Sequence, residues 1–332
     1  MRIPEENPIV SVVLPVYNGE RFVLEAIRSI QNQTFNNWEL IILDDGSLDG
    51  SLKICQEQAA SDPRIRVHAN GINLGLAKTM NKLVRLAGGQ YLAVQEQDDI
   101  SMPDRLRLEV DLLDANPEVG LVSGVAAWID DDGKIFYYYP GKLHQGKSFP
   151  KDKRAMVAYL YSEGCKVANP ACMFRRAILQ EIPGPFDEEA LQSIDYQFFL
   201  HVAHRYEISG IPEILVKMRR GTQHPHYSKQ IEILFDENCR CLNIIYEQYK
   251  KDKNSPINYA LYRKAMSRSL LWESGFCGRF KLITKLILAI WYNPLNMKAW
   301  ASIGKYSLRV GKKFLNCFPS SISSTNIDHP KL

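Results

Sequence analysis

The first hundred residues of the chain switch repeatedly between two hydrophobic periods. Val10 to Leu14 is a short β-branched run that stops at Pro15, and Glu20 to Ile30 then places Phe22, Ile27 and Ile30 at helical spacing. Trp38 to Leu43 is a second apolar run closed by Asp44-Asp-Gly-Ser47, with Ser47 or Asp49 available to cap a following helix. Arg64 to His68 predicts a third strand, Gly75 to Ala87 a helix and Tyr91 to Val94 a fourth strand. Pro103 to Leu113 predicts a helix with proline in its first turn. Strands alternating with helices over short connections predict right-handed βαβ units and a mainly parallel, Rossmann-like sheet flanked by helices. Ligands of such sheets bind at the carboxyl ends of the strands. Polar clusters fall there: Tyr17-Asn18, Asp44-Asp45, Asn70 to Asn73 and Asp98-Asp99.

From Val119 to about Arg220 the periods mix. Val119 to Trp128 and Ile135 to Tyr139 predict strands joined by an Asp130-Asp-Asp-Gly133 turn. Arg154 to Tyr161 and Tyr196 to Ala203 predict helices, and Ile214 to Met218 a late strand. Beyond Ser228 the pattern turns to long amphipathic helices, broken near Ser255-Pro256, Gly275 to Gly278 and Asn293-Pro294. The expected organisation is a catalytic domain over 1–228, a helical appendage over 229–317 and a Ser-rich tail over 318–332.

Charge sharpens that division. The 332 residues carry 41 basic and 37 acidic side chains, and a net charge of +4 gives no reason to expect a nucleic-acid partner. From residue 241 onward, however, 15 Lys and Arg face 4 Asp and Glu, leaving 26 against 33 before it. An apolar content of 45% fits a folded chain with an ample core. Seven scattered cysteines without CxxC spacing read as reduced thiols, and the acidic, proline-containing start lacks the shape of a signal peptide. The longest strongly apolar stretch near the C-terminus, Leu286 to Tyr292, falls short of the about 20 residues a spanning helix needs. A cytoplasmic protein is expected.

Neither the dinucleotide fingerprint GxGxxG after the first strand nor the phosphate-loop pattern GxxxxGK[ST] occurs. Carboxylates follow the strands instead. Adjacent acids at a strand end, such as Asp98 and Asp99, are costly unless solvated, capping a helix or holding a cation. In chain order come Pro15-Val-Tyr-Asn18, Asp44-Asp-Gly-Ser47, Asn73-Leu-Gly75, Glu96-Gln-Asp-Asp99 with Pro103-Asp-Arg-Leu106, Asn169-Pro170, and Phe186-Asp187 followed by Asp195. This ordered set, over roughly residues 9–220, resembles the family 2 glycosyltransferases. The resemblance implies a GT-A fold, a nucleotide-sugar donor, a divalent Mn²⁺ or Mg²⁺ and inversion at the anomeric carbon.

Roles follow from that resemblance. Asp99 is expected to bind the metal and Asp98 the ribose hydroxyls. Pro15, Tyr17, Asn18, Asp44, Asn73, Gly75 and Lys78 complete the expected nucleotide-sugar site. Tyr17 offers a π face to a pyrimidine, Asp44 could accept the imide N–H of uracil, and Lys78 could reach a phosphate. Asp195 matches the family's catalytic base, and it could equally cap the helix that begins at Tyr196. The sequence departs from the family in three places. Glu96 stands where Asp is common, Ile194 where Glu often precedes the base, and Arg219-Arg220 where Tyr-Arg-x-His usually ends a strand, with His224 and His226 a little late. Tyr137-Tyr-Tyr139 can stack on an acceptor sugar or pack the sheet.

The function implied is transfer of a sugar from a nucleotide-sugar donor, expected to be UDP-linked, to a glycan or lipid-linked acceptor in cell-surface polysaccharide synthesis. A catalytically silent nucleotide-sugar-binding protein and a polyprenyl-phosphate sugar synthase are the alternatives. The lysine-rich helices with Trp291 and Trp300 have the composition of a peripheral contact with an anionic membrane, and equally that of an appendage packed on the catalytic domain.

Overall fold

The computed structural model describes residues 8–182, 184–191, 193–220, 231–274 and 279–302, excepting the side chains of 231–235 and 272–284. Contacts divide the chain into two units, residues 1–265 and 266–332. The first opens with β1 (Val10–Val16), α1 (Val23–Gln31), β2 (Trp38–Asp44), α2 (Ser51–Ser61), β3 (Ile65–Ala69), α3 (Leu76–Leu86) and β4 (Tyr91–Val94). These match the alternation expected from sequence. β1, β2 and β4 are buried on both faces, as a parallel sheet covered by helices requires. The chain continues through β5 (Ile100–Ser101), α4 (Arg105–Ala115), β6 (Val119–Ile129), β7 (Ile135–Tyr139), α5 (Gly141–His144), α6 (Lys153–Glu163) and β8 (Cys172–Arg175). Then come α7 (Ile194–Arg205), β9 (Glu207–Arg219), α8 (Ile231–Tyr249) and α9 (Tyr259–Ser274), which runs across the boundary between the units, and α10 (Arg279–Tyr292) in the second.

The strand order is β3-β2-β1-β4-β8-β6-β9-β5, with β7 paired to β6 off that path. The pairs β3/β2, β2/β1, β1/β4 and β6/β9 are parallel. β8 is antiparallel to both neighbours, so β4 and β6 point the same way on either side of it. β8 and β7 share one edge of the 11-residue β6, taking its first and last thirds. Two strands and a short helix escaped the hydrophobic pattern: β8, the two-residue β5 and α5. β9 also runs seven residues earlier than the predicted late strand.

The first crossovers carry the chain from β1 to β2 and β3, and the next brings it back to β4 on the other side of β1. That reversal opens a crevice at the carboxyl ends of β1 and β4. Pairing of β1 with β4 stops at Val13 and Val94, and beyond it β1 keeps only its β2 neighbour. Pro15, which lacks an N–H, falls in this singly paired stretch.

One fully buried side chain ties the crevice to the rest of the sheet. Arg105, the first residue of α4, has no solvent exposure. Its guanidinium donates to the carbonyls of Val94 (2.8 Å) and Cys172 (3.2 Å), to Gln95 Oε1 (3.3 Å) and to Ser101 Oγ (2.9 Å). Its Nε pairs with Glu109, one helical turn on and equally buried, at 3.2 Å. Burial pushes the Glu109 carboxyl up while the Arg105 charge pulls it down. α4 is thereby locked to β4, β5 and β8.

Two histidines of α7 pack on α8. His201 Nδ1 lies 3.1 Å from the Tyr249 hydroxyl, and the His204 ring stacks on Tyr249 at 3.6 Å with its Nε2 3.1 Å from Ser255 Oγ. Burial, aided by the Arg205 charge, pulls the His201 pKa down to about 4, and His204 is lowered mainly by burial. In the second unit, among the described residues, Ser267 Oγ donates to the Ala289 carbonyl and accepts from Asn296 Nδ2 (2.8 Å), joining the end of α9 to α10.

Arg105→Met is expected to cost about 3–5 kcal/mol in urea unfolding, because it strands the Glu109 charge in the core. The double change Arg105→Met/Glu109→Leu should recover most of that loss, and a double variant as unstable as the single one would refute the pairing. Both histidines bind protons more readily when unfolded, so stability should drop as pH falls from about 6.5 towards about 4. Thermal melts should show this as a fall of several degrees, at about 2–4 °C per kcal/mol. His201→Gln should flatten the slope.

Candidate active site

β4 ends at Val94 and the chain enters an acidic loop whose ends are both held by one buried amide. Gln95 Nε2 donates to the carbonyls of Glu96 (2.9 Å) and Asp99 (2.8 Å), and its Oε1 accepts from Ser101 Oγ (2.6 Å) and from Arg105. Gln97 turns the other way. Its Oε1 accepts the Tyr17 N–H (2.8 Å) and its Nε2 donates to the Tyr17 carbonyl (3.1 Å), so the acid loop sets the position of the Tyr17 turn.

Glu96, Asp98 and Asp99 each bring a carboxylate oxygen within 4.8 Å of the other two. Asp99 Oδ1 accepts the Arg219 N–H (3.0 Å), whereas its buried Oδ2 has no hydrogen-bond partner among the described residues. Burial, then the Asp98 charge, pushes the Glu96 carboxyl up to about 7 in spite of Arg220 and of a hydrogen bond from Asn169 Nδ2 (3.0 Å). Asp99 is raised well above the usual range by burial and by the charges of Asp98 and Glu96. Three carboxylates whose oxygens lie this close together, one of them with an unused buried oxygen, fit a hard divalent cation. Asp99, Asp98 and Glu96 are the residues that could hold it.

On the β1–β3 side, polar side chains lace the loops together. The Asn18 N–H donates to Ser47 Oγ (3.0 Å), and Asn18 Oδ1 accepts the Leu48 N–H (2.8 Å), with Asn18 itself at a left-handed φ of 48°. Asp44 Oδ2 accepts the N–H groups of Gly46 (3.1 Å) and Ser47 (3.0 Å), and its Oδ1 is buried without a partner. The cap of α2 is Gly50 and not the expected Ser47 or Asp49, because the loop runs on past both; Asp49 Oδ1 still accepts the Ser51 N–H at 3.0 Å from the position before the cap. Gly46 has φ +76°, and a Cβ there would come within 2.6 Å of the Ile72 carbonyl carbon, so only glycine lets the two loops touch. Asp45 anchors the third loop, accepting from Leu74 N (2.9 Å), Gly75 N (2.9 Å) and Asn70 Nδ2 (2.7 Å). Asn73 Oδ1 also accepts the Gly75 N–H (3.0 Å). Lys78 stands exposed on the first turn of α3.

Across the crevice, Ser193 in the left-handed region (φ 56°) is the residue that precedes α7, so Asp195 is its second helical residue rather than its cap. Asp195 Oδ1 accepts the Tyr196 N–H at 2.9 Å. Burial raises the Asp195 carboxyl, opposed by that N–H and by the Arg220 charge, and Asp195 in turn acts on Glu96. The segment leading to it is pinned by Asn81 Nδ2 to the Phe186 carbonyl (2.8 Å) and by Arg240 to Asp187 (2.8 Å).

The two arginines that end β9 divide their work. Arg219 is consumed internally, donating to Glu25 (2.7 Å) and the Asp98 carbonyl (3.3 Å) and lying 4.5 Å from the Phe22 ring. Arg220 lies over the Trp128 ring at 5.4 Å, and its charge reaches Glu96, Asp99 and Asp195. His224 and His226 lie outside the described residues. Asp45, Gln97 and Arg220 had no assigned role in the sequence reading. Asp45 was visible only as the second member of an acidic pair and Arg220 only as the neighbour of Arg219.

Residues 11–182 match glycosyl transferase family 2. An uncharacterized glycosyltransferase of Methanocaldococcus jannaschii is 31% identical over 227 residues, covering 68% of this chain and 75% of that protein. The fold is similar to S. aureus TarS 1–349 in complex with UDP-GlcNAc, with TM-score 0.66 and 17% identity over 85% of this chain and 81% of that one. It is also similar to a mannosyltransferase from Pyrobaculum calidifontis in complex with GDP-Man and Mn²⁺, with TM-score 0.58 and 17% identity over 94% and 84% of the two chains. The family match spans more than half of the chain and every strand that frames the acid loop from β1 to β4, and the protein accordingly belongs to glycosyl transferase family 2 and is a glycosyltransferase.

Proposed function

We propose that the protein is an inverting, metal-dependent transferase that moves a sugar from a UDP-linked donor to a glycan or lipid-linked acceptor in cell-surface polysaccharide synthesis. The observation that carries this reading is the Glu96–Asp98–Asp99 group after β4, in which Asp99 is buried with an oxygen unpartnered among the described residues and Glu96 feels the Asp195 charge. The unpartnered Asp44 Oδ1 supports a uridine nucleotide, since it is a buried acceptor at the strand end beside Tyr17, and uracil presents an imide N–H. The loop of Asn73 to Gly75 supplies backbone close to the ribose and phosphates.

Chemistry at the anomeric carbon then needs little rearrangement. Asp195 takes the proton of the attacking acceptor hydroxyl, the new C–O bond forms, and the bond to the donor phosphate breaks with its electron pair leaving on the diphosphate. Burial raises the Asp195 carboxyl, which suits it to accept a proton, while the Tyr196 N–H and the Arg220 charge favour its ionised form. Bound divalent cation would neutralise the charge that grows on the diphosphate.

We further propose that the second unit meets the inner face of the cytoplasmic membrane. No described helix is long and apolar enough to cross a bilayer. Ile287, Leu288 and Trp291 share one exposed face of α10, followed by exposed Leu295, Met297 and Trp300. No acidic residue occurs between Arg279 and Trp300.

Asp195→Asn should leave UDP-sugar binding within about twofold by calorimetry and cut transfer by about 10²–10⁴-fold. Asp99→Asn should lose Mn²⁺-dependent UDP binding, and full transfer by both variants would end the assignment. Burial keeps Glu96 protonated up to about pH 7 against an ordinary 4.5, so the metal-free fold loses stability as pH rises through that window. The rise in melting temperature caused by Mn²⁺ should therefore be larger at pH 8 than at pH 6, and a smaller one contradicts the ligand set. Sedimentation with anionic vesicles should be salt-sensitive, and absence of binding by the full chain rejects the membrane contact.

A further inference from the structure

The hairpin of β6 and β7 carries more aromatic surface than the sheet uses. Trp128, near the end of β6, is the centre of a ring cluster: Tyr137 lies 4.7 Å away, tilted by 55°, and Phe136 and Tyr139 each lie 6.2 Å away. β7 pairs only with β6, and on it Phe136 and Tyr137 remain 55% and 47% exposed. Packing for stability alone does not account for this arrangement, because two large rings stay half in water and the Trp128 indole N–H is buried without a partner.

The cluster is continuous with the reacting end of the crevice. Trp128 carries the Arg220 guanidinium on its face, and Arg220 acts on Asp195 and on Glu96. Tyr139 donates its hydroxyl to the Cys165 carbonyl, which fixes the end of β7 against the segment that leads to β8. β6 and β9 end on the same side of the sheet as β4 and lie across β8 from the nucleotide loops of β1–β3. An occupant of the ring surface would thus lie across β8 from the donor loops, at the same end of the sheet.

We infer that Phe136, Tyr137 and Trp128 form the acceptor subsite, a platform for the apolar C–H face of a pyranoside whose hydroxyl is presented to Asp195. Flat rings edged by the Asp130 to Lys134 turn and by Arg220 suit a saccharide, which offers an apolar face and a polar rim. The inference rests on the transferase reading above and extends it to the second substrate.

The test uses the full chain with UDP-sugars and Mn²⁺, measuring UDP release in water alone and with methyl pyranosides of glucose, galactose, mannose, N-acetylglucosamine and rhamnose. At least one pyranoside should stimulate release. Phe136→Ala and Tyr137→Ala should each raise its half-saturating concentration by about 3–10-fold, with release in water unchanged and Tyr137→Phe near wild type. Unchanged stimulation in both alanine variants would overturn the subsite. If no UDP-sugar is turned over, the transferase reading fails separately. Saturation-transfer NMR with the same pyranosides then decides the platform alone, by a signal lost in Tyr137→Ala. No pyranoside signal, or one seen only with farnesyl phosphate, would overturn the inference.

Discussion

The planar guanidinium of Arg105, closed off from water, is the contact on which the crevice depends. A single fork reaches the last residue of β4, the first of β8, the Gln95 amide, the β5 hydroxyl of Ser101 and the Glu109 carboxylate. A lysine in that place would present a point charge and could not satisfy so many acceptors in a plane. A buried charge tolerates no missing partner, so the elements around Arg105 hold together as a set. Gln95 passes that rigidity to the acid loop, since the same amide that meets Arg105 closes hydrogen bonds to Glu96 and Asp99. The strand ends can then support mutually repelling carboxylates without the loop opening.

Repulsion within that loop is what makes it useful. Glu96 and Asp99 are driven towards their protonated forms by burial and by the Asp98 charge, and a bound cation would oppose that repulsion. The extra methylene of Glu96 does not leave it adrift, because Asn169 reaches across from the turn before β8 to hold it. Around the crevice, side chains rather than ladder hydrogen bonds fasten one loop to the next: Gln97 to the Tyr17 turn, Asn18 to Ser47 and Leu48, and Asp45 to Leu74 and Gly75. Such lacing leaves the crevice open while fixing its walls.

Much of this was legible in the linear pattern. The four leading strands and their helices announced themselves because strands buried on both faces are continuous apolar runs and helices repeat at 3.6 residues. The ordered motifs placed the acids at strand ends for the same reason, since βαβ units bring every carboxyl end to one edge. β8 stayed hidden. Cys172 to Arg175 is four residues long, with no alternation, and is a strand only because β4 and β6 leave a gap of one strand's width between them. β5 is two residues whose identity comes wholly from β9.

Sequence by itself determined the family, the parallel half of the sheet and the residues from which the site would be drawn, because those depend on local period and on residue types at short spacing. Tertiary structure alone decided their partners. It turned Arg219 inward to Glu25 and left Arg220 facing the acids, although the two are adjacent and chemically identical. It made Asp45 an anchor and Asp44 a buried acceptor with a free oxygen, and it set Asp195 inside α7 rather than at its cap. Those outcomes turn on burial and on contacts between residues as far apart as Asp99 and Arg219, a separation over which hydrophobic periodicity carries no information.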